Sequence, residues 1–172
     1  MTQETVAAAP PSVGRTWAII AAIAVLVAAY MAMGAVLKIT PLFAGYFFLL
    51  YWVGIKHAAP KEFAPTLLGA LAGLALAWLL HVVPIAFGTA GMISVIALVV
   101  AAIYVQIRNS LPLIINLSFM LFMTLGTVPP VAGEGDFLGM ALAVLLAAGF
   151  FGGMLFLATR FGKGRQLATE PA

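Results

Sequence analysis

The sequence predicts an all-α polytopic membrane protein with six transmembrane helices. Of the 172 residues, 65% are hydrophobic and only 8% are charged, and the mean hydropathy is +1.18. A soluble domain carries about 25% charged residues, so lipid must solvate most of this surface. The apolar residues also form continuous runs, whereas strands of a membrane barrel alternate apolar and polar residues. The composition therefore favours a helical bundle and excludes a soluble enzyme.

The first span follows a polar segment, residues 1–16, that contains Pro10 and Pro11. This segment predicts a flexible cytoplasmic tail. The apolar run 17–37 has 21 residues, enough to cross about 30 Å of hydrocarbon as a helix. The core of a signal peptide is shorter, about 7–15 residues. We therefore expect the run to be a retained span.

Five more apolar runs follow, and charged residues or prolines separate them. The second run is the shortest, with 15 residues, and would extend about 22 Å as a helix. A basic cluster follows the last run and begins a cytoplasmic C-terminal tail, 162–172. The predicted spans are 17–37, 41–55, 63–87, 90–107, 111–128 and 137–161.

The distribution of charge predicts the orientation. With six spans, one side of the membrane holds seven of the eight basic residues, and the other side holds Lys38 with Glu134 and Asp136. The seven are Arg15, Lys56, Lys61, Arg108, Arg160, Lys163 and Arg165. Positive loops face the cytoplasm. We therefore expect a multi-pass protein of a bacterial inner membrane with both termini cytoplasmic.

A weak internal repeat relates the first three spans to the last three. Residues 26–29 resemble 99–102, and Leu68-Gly69 resembles Leu138-Gly139, so the offset is 70 to 73 residues. An odd number of spans in each half predicts two inverted halves, as in many transporters and channels. Chance is the alternative, because Leu, Ala, Val and Gly dominate the composition.

The second and fifth spans are the candidate walls of a pathway. Each begins with a hydroxyl residue and a proline, Thr40-Pro41 and Ser110 with Pro112, which are residues that cap and start helices. Short segments with Gly or Pro in matching positions of two halves indicate a transport site. The alternative is an interfacial aromatic belt with small polar residues joining helices. The pathway candidates are Tyr46, Tyr51 and Trp52 opposite Asn116, Ser118 and Thr124.

Two further groups have a functional and a structural interpretation. His81, inside the third span, could relay protons or sense pH, or it could bind a carbonyl freed by Pro84. Glu134 and Asp136 could attract cations to a pore mouth. Alternatively, Asp136 caps the last helix.

The scarcity of reactive side chains argues against chemistry. Cysteine is absent, and the five acidic residues all lie outside the predicted spans. We therefore expect no catalytic residue, no metal site and no cofactor. Aromatic and basic residues do not interleave on any polar segment, so we expect no nucleic-acid partner.

Small residues predict close helix packing. Gly69 and Gly73 lie four residues apart in the third span, and Gly149 and Gly153 lie four apart in the sixth. Such pairs let helix backbones approach closely, either within one chain or between subunits. Six helices are few to enclose a solute path, which favours a homo-oligomer.

The chain also resembles a family of bacterial inner-membrane proteins called DUF1097. The resemblance lies in the length, the six spans, the stretch 43–47 after the first hairpin, and the Gly135-Asp136-Phe137 start of the last span. It covers residues 17–160 and implies topology and compartment, without an activity or a site residue.

These observations leave two functions. The first is a passive channel or facilitator for a small solute, with the path between the second and fifth spans. The second is a structural or interaction subunit that moves nothing. A polar cavity near Asn116 would favour the first, and a close-packed interior would favour the second.

Overall fold

A computed structural model describes residues 13–128 and 135–166, and side chains are described as far as Leu157 and at Arg160. Within these ranges the protein is all-α. Three helices are long and apolar enough to cross a membrane: α1, α3 and the stretch Phe137–Leu157 of α5. The elements are α1 (Val13–Val36), α2 (Phe43–Leu49) continuing into a π-helical segment (Leu50–Ile55), α3 (Pro60–Ile107), α4 (Leu117–Thr127) and α5 (Phe137–Gln166).

Several helix boundaries differ from the predicted spans. Helix α1 begins at Val13, inside the predicted tail, and α5 runs to Gln166, beyond the predicted end at 161. The fifth span was predicted to start at 111, but α4 starts at Leu117 because residues 108–116 are not helical. Residues 1–12, 129–134 and 167–172, which include Glu134 and most of both tails, lie outside the described residues.

The predicted third and fourth spans form the single helix α3, so the described residues contain five helices and the count of six is not confirmed. The backbone at Gly88 is nevertheless non-helical, with φ 57° and ψ −138°. Leu76 and Ala102 pack in one cluster around Phe119, although a straight helix would place them about 39 Å apart. The chain therefore reverses at Gly88, between a first arm (60–87) and a second arm (89–107).

The first arm and α5 form the centre of the bundle. Phe63, near the start of the arm, lies against Gly152, late in α5. The ring of His81, near the end of the arm, lies 5.8 Å from the ring of Phe137, the first residue of α5. The two helices are therefore antiparallel. Their contact buries small and medium-sized apolar side chains such as Ala70 and Val144, neither of which is exposed.

Each central helix carries one short helix on its flank. Helix α4 packs on the first arm, where Gly69 meets Asn116, Gly73 meets Phe119, and Ala77 meets Gly126. Both series of numbers rise together, so this pair is parallel.

Helix α2 packs on α5 in the same way. Gly45 meets Ala143 and Ala147, and Trp52 shares a groove with Gly149 and Gly152. This pair is also parallel, so each short helix packs on a long helix from the other end of the sequence.

Two local structures recur at the spacing of the sequence repeat. Lys38 and Asn109, 71 residues apart, both adopt a left-handed backbone conformation, with φ 55° and 49°. Each ends its helix with a bond that spans five residues, from the Ile39 amide to Gly34 O (2.9 Å) and from the Ser110 amide to Val105 O (3.2 Å). This bond defines a Schellman cap. A proline, Pro41 or Pro112, follows three residues after each left-handed residue.

The buried faces of the two central helices also repeat, with an offset of 70 residues. The equivalent positions lie on the sides that face each other and the flanking short helices. The buried residues are Gly69, Ala70, Gly73, Leu74 and Ala77 in the first arm, and Gly139, Met140, Ala143, Val144 and Ala147 in α5.

Candidate functional site

A cavity of about 390 Å³ opens at the end of the bundle where the connection 56–59 and the connection 108–116 meet. It lies between the π-helical segment, the start of α3 and the residues that precede α4. Its lining mixes a charged pair, hydroxyls and amides with proline and leucine. The lining residues are Tyr51, Lys56, Glu62, Pro65, Thr66, Asn109, Pro112, Leu113 and Asn116.

Local sequence explains why one wall of the cavity is not helical. Asn109 adopts a left-handed conformation, which ends the second arm, and asparagine tolerates this conformation better than most residues. Pro112 has no amide hydrogen to donate. The next helix begins only where Asn116 caps it, accepting a hydrogen bond at Oδ1 from the Phe119 amide at 3.2 Å. The connection 109–116 therefore stays open and borders the cavity.

An ion pair stands at the cavity mouth. Lys56 Nζ and Glu62 Oε2 are 3.0 Å apart, and the two side chains are 35% and 30% exposed. Lys56 Nζ also lies 6.0 Å from the centre of the Tyr51 ring. The hydrogen bond with Glu62, followed by the nearby Tyr51, raises the pKa of Lys56 above its usual value. The mouth therefore carries one positive and one negative charge that neutralise each other.

Deeper in the cavity, Thr66 has a hydroxyl without a partner. The residue is 1% exposed, and its Oγ1 atom makes no hydrogen bond within the described residues. Its carbonyl oxygen is used, because Ser118 Oγ donates to it at 2.8 Å. The Tyr51 side chain is 3% exposed, and its hydroxyl lies beside the Ser118 backbone. A buried hydroxyl without a partner is costly.

Asn116 was predicted to line a pathway from within a helix, but the structure places it at a helix start. Its Nδ2 atom donates to Pro65 O at 2.8 Å and to Pro112 O at 3.0 Å, while Oδ1 caps α4. An amide group offers two donors and one acceptor oxygen. Asn116 borders the cavity, yet its donors are engaged by the protein.

The remaining pathway candidates lie in different places. Trp52 Nε1 donates to Ala59 O at 3.2 Å. The Tyr46 hydroxyl is buried without a partner among the described residues and lies outside the cavity lining. Thr124 is exposed. Of these six candidates and His81, Tyr51 and Asn116 line the cavity, and Ser118 joins α4 to Thr66.

The polar residues of the opposite end have structural contacts. Asp136 Oδ1 accepts from the Gly139 amide at 2.8 Å, as expected of a helix cap. Thr40 was expected to cap the second span, but it donates to Asp136 Oδ2 at 3.3 Å, and no side chain caps α2. Ser110 does not cap a helix either, because α4 starts seven residues later. His81 packs on Phe137.

The two glycine pairs have different surroundings. Gly69 and Gly73 lie directly against α4. Gly149 and Gly153 have open space where a side chain would stand and border an apolar groove of about 440 Å³. The groove is lined mainly by Trp52, Phe63 and Phe156 besides the glycines.

The sequence did not single out three residues: Thr66 and Glu62 at the cavity, and Tyr30 at the opposite end of the bundle. Thr66 follows Pro65 directly, and a hydroxyl beside a proline in an apolar run was an available signal. Glu62 stands directly before the predicted span 63–87, where a charge in a connection is ordinary. Tyr30 lies in the first span, and its contacts with Leu42 and Ala143 left no local trace in the sequence.

Among the described residues, no three histidine or acidic side chains come together as metal ligands. Comparison of the chain with protein-family models, with curated proteins and with solved structures finds no match. The resemblance to DUF1097 therefore stays a prediction, and the function must be argued from the cavity.

Proposed function

We propose that the protein crosses a bacterial inner membrane six times, with both termini in the cytoplasm, and lets a small polar solute pass through the bundle without coupling to an ion. The solute site is the cavity at Thr66. The observation that carries the proposal is a buried cavity-lining hydroxyl without a partner among the described residues.

The reversal at Gly88 supports six crossings. It turns the two arms of α3 into an antiparallel hairpin, so α1, the two arms and α5 supply four stretches, and the shorter apolar helices Phe43–Ile55 and Leu117–Thr127 would supply the other two. With six spans, the second and fourth connections lie on one side of the membrane, and the first and fifth lie on the other. Lys56 and Asn109 border one cavity, while Thr40 contacts Asp136 at 3.3 Å. The first end carries most of the basic residues, which face the cytoplasm in bacterial membrane proteins.

The repeated structures support two inverted halves. The Schellman caps at Lys38 and Asn109 lie at opposite ends of the bundle, and each precedes a short helix that packs on the long helix of the other half. Inverted halves that pack against each other occur in transporters and channels. They give the two membrane faces related architecture, which suits a solute path.

The placement of acidic residues supports passive movement. The five carboxylates of the sequence all lie outside the predicted spans. Proton-driven or sodium-driven transport commonly relies on an acidic residue inside the membrane. The ion pair at the mouth has no formal net charge, and hydroxyls lie behind it, so the cavity suits an uncharged solute that forms hydrogen bonds.

Flux into proteoliposomes tests the proposal. We expect the reconstituted protein to admit at least one member of a panel of small polyols, amides and sugars faster than empty liposomes. Thr66→Val keeps the shape of the side chain and removes the hydroxyl, and should lower that flux about tenfold. Thr124→Val, at an exposed threonine of α4, is the matched control. Equal flux in protein-containing and empty liposomes across the panel would disprove transport.

A second candidate function is a structural subunit, and the open groove at Gly149 and Gly153 favours it. Small residues that have open space beside them among the described residues are a common interface between membrane helices. We propose that this face joins copies of the chain into a homo-oligomer. Cross-linking in detergent should then give a dimer or larger species, and Gly149→Leu should reduce it. Cross-linked oligomers without solute flux would favour the structural role.

A further inference from the structure

The repeat assigns an equivalent of the cavity to the opposite end of the bundle. Asn109, Pro112, Leu113 and Asn116 line the cavity. Seventy-one residues earlier, at the same spacing from the other Schellman cap, stand Lys38, Pro41, Leu42 and Gly45. We call the space around Leu42, Gly45 and Ala143 the outer half-site.

The side chain of Tyr30 fills the outer half-site. Its hydroxyl donates to Leu42 O and Ala143 O, each at 3.2 Å, and the residue has no exposed surface. A side chain on Gly45 would collide with the Tyr30 hydroxyl. Glycine at position 45 therefore leaves the space that the tyrosine occupies.

At the cavity end, no tyrosine stands at the position equivalent to Tyr30. Tyr30 stands eight residues before the left-handed residue Lys38, and the residue eight before Asn109 is Ala101. Ala101 is exposed, and its methyl group is too short to reach across the bundle. One end of the molecule is thus open and the other is closed, although the caps and packing are shared.

The hydroxyl of Tyr46 lies in the same part of the bundle as the Tyr30 side chain. The ring of Tyr46 contacts the ring of Tyr30 edge-on at 5.2 Å. The Tyr46 hydroxyl is buried and has no hydrogen-bond partner among the described residues. It resembles Thr66 in this respect, so each end of the bundle holds one buried hydroxyl without a partner among the described residues.

We propose that the outer half-site is the second solute-binding position of the path and that Tyr30 closes it in this structure. It binds the same class of molecule as the cavity, a small uncharged solute with hydrogen-bonding groups, through the Tyr46 hydroxyl and the carbonyls that Tyr30 releases on moving. This inference rests on the proposed function, because it extends the same path to the other face.

Cysteine labelling tests the closure directly, because the chain has no native cysteine. Ala147→Cys places a thiol beside Gly45, and Leu113→Cys places one at the cavity, where Leu113 is 50% exposed. A membrane-impermeant maleimide is added from the face opposite to Lys56 for the first reporter and from the face of Lys56 for the second. Labelling rates are compared in the parent, in Tyr30→Ala and in Tyr104→Ala, which removes a tyrosine that is 63% exposed.

In the parent we expect Leu113→Cys to react and Ala147→Cys to stay protected. Tyr30→Ala should raise the rate at Ala147→Cys at least about tenfold, since the loss of a hydrogen bond and of the ring both favour opening. Tyr104→Ala should leave it unchanged. An unchanged rate in Tyr30→Ala protein that still labels normally at Leu113→Cys would overturn the proposal.

If Tyr30→Ala protein does not fold, Tyr30→Phe decides the question. It keeps the ring and removes only the hydroxyl, so the rate at Ala147→Cys should rise about fivefold, and no rise would overturn the proposal. Labelling measures access and not flux. Increased labelling without solute movement would therefore disprove the proposed function, and with it the solute-binding role of the outer half-site, and would leave only the closure by Tyr30.

Discussion

Asn116 binds Pro65, a residue 51 positions earlier, through a hydrogen bond of 2.8 Å from its Nδ2 atom to the proline carbonyl oxygen. The same side chain caps α4 at the Phe119 amide. One amide therefore starts a helix and fixes that helix to the first arm of α3. The oxygen and nitrogen of this amide also lie against Gly69, where a larger residue than glycine would displace them.

Replacing Asn116 should therefore destabilise the fold. We predict that Asn116→Ala lowers the free energy of unfolding by about 2–3 kcal/mol, from a lost cap and a lost buried hydrogen bond. Unfolding in detergent, followed by circular dichroism, measures this loss. Ser94→Ala is the control, because the Ser94 hydroxyl bonds only within its own helix. Stability equal to that of the parent would show that Asn116 does not hold α4 in place.

The two glycine pairs should respond oppositely to alanine. A methyl group on Gly73 would collide with the backbone of Phe119, so Gly73→Ala should lower the stability by about 2 kcal/mol. Gly149 has open space beside it in its own chain, and Gly149→Ala should raise the stability of the dissociated chain by about 0.5–1 kcal/mol because alanine favours helix. Thermal unfolding of the two variants beside the parent checks both. The packing described here would be wrong if Gly73→Ala were neutral.

Gly88 should be required for the reversal of α3. Its φ of 57° and ψ of −138° lie in a region that residues with a side chain rarely adopt. No atom would meet a methyl group there, so the cost of Gly88→Ala is conformational, about 1–3 kcal/mol. Gly153→Ala, at a helical glycine with equally open surroundings, is the control. The difference in melting temperature between the variants measures the strain, and equal values would contradict it.

The ion pair at the cavity mouth should contribute little to stability and change little near neutral pH. Both side chains are about one third exposed, and such pairs are worth about 0–1 kcal/mol. The hydrogen bond with Glu62 raises the pKa of Lys56 from its ordinary value of 10.5. A raised pKa in the folded state means that the contribution is complete below the ordinary value and is lost as pH rises through the raised value.

The free energy of unfolding of Lys56→Met should therefore differ from that of the parent by the same small amount at every pH between about 6 and 9. Unfolding experiments at several pH values measure the difference, and His57→Gln in the same connection is the control. A difference that disappears between pH 7 and 9 would show that another group, not Lys56, governs it.

The sequence predicted the long helices well, because continuous apolar runs leave little other choice in lipid. It predicted α4 less well. Pro112 predicts that a helix has its first turn there. The left-handed Asn109 and the capping side chain of Asn116 instead place the start of the helix at Leu117. An asparagine is a strong capping residue, so the signal was present in the chain. Ser110 and Pro112 also have the residue types of a helix start, and they predicted an earlier one.

The candidate site could be predicted only in part. Tyr51 and Asn116 were expected near a pathway and line the cavity. Thr66 and the ion pair of Lys56 with Glu62 come from different positions on α3 and its preceding connection. Their meeting depends on how α3 begins beside the π-helical segment. No periodic pattern in the sequence describes that geometry.

The sequence by itself determined three things. Apolar composition calls for lipid around the protein, the length of the apolar runs predicts helices, and matching residues in the two halves give the spacing of the repeat. Only the tertiary structure decided which polar groups are satisfied. Tyr30 is held by a carbonyl 113 residues away and Asn116 by one 51 residues away, while Thr66 is left without a partner among the described residues. Hydrogen bonds need approach within about 3 Å, and such distances between remote residues exist only after the helices have packed.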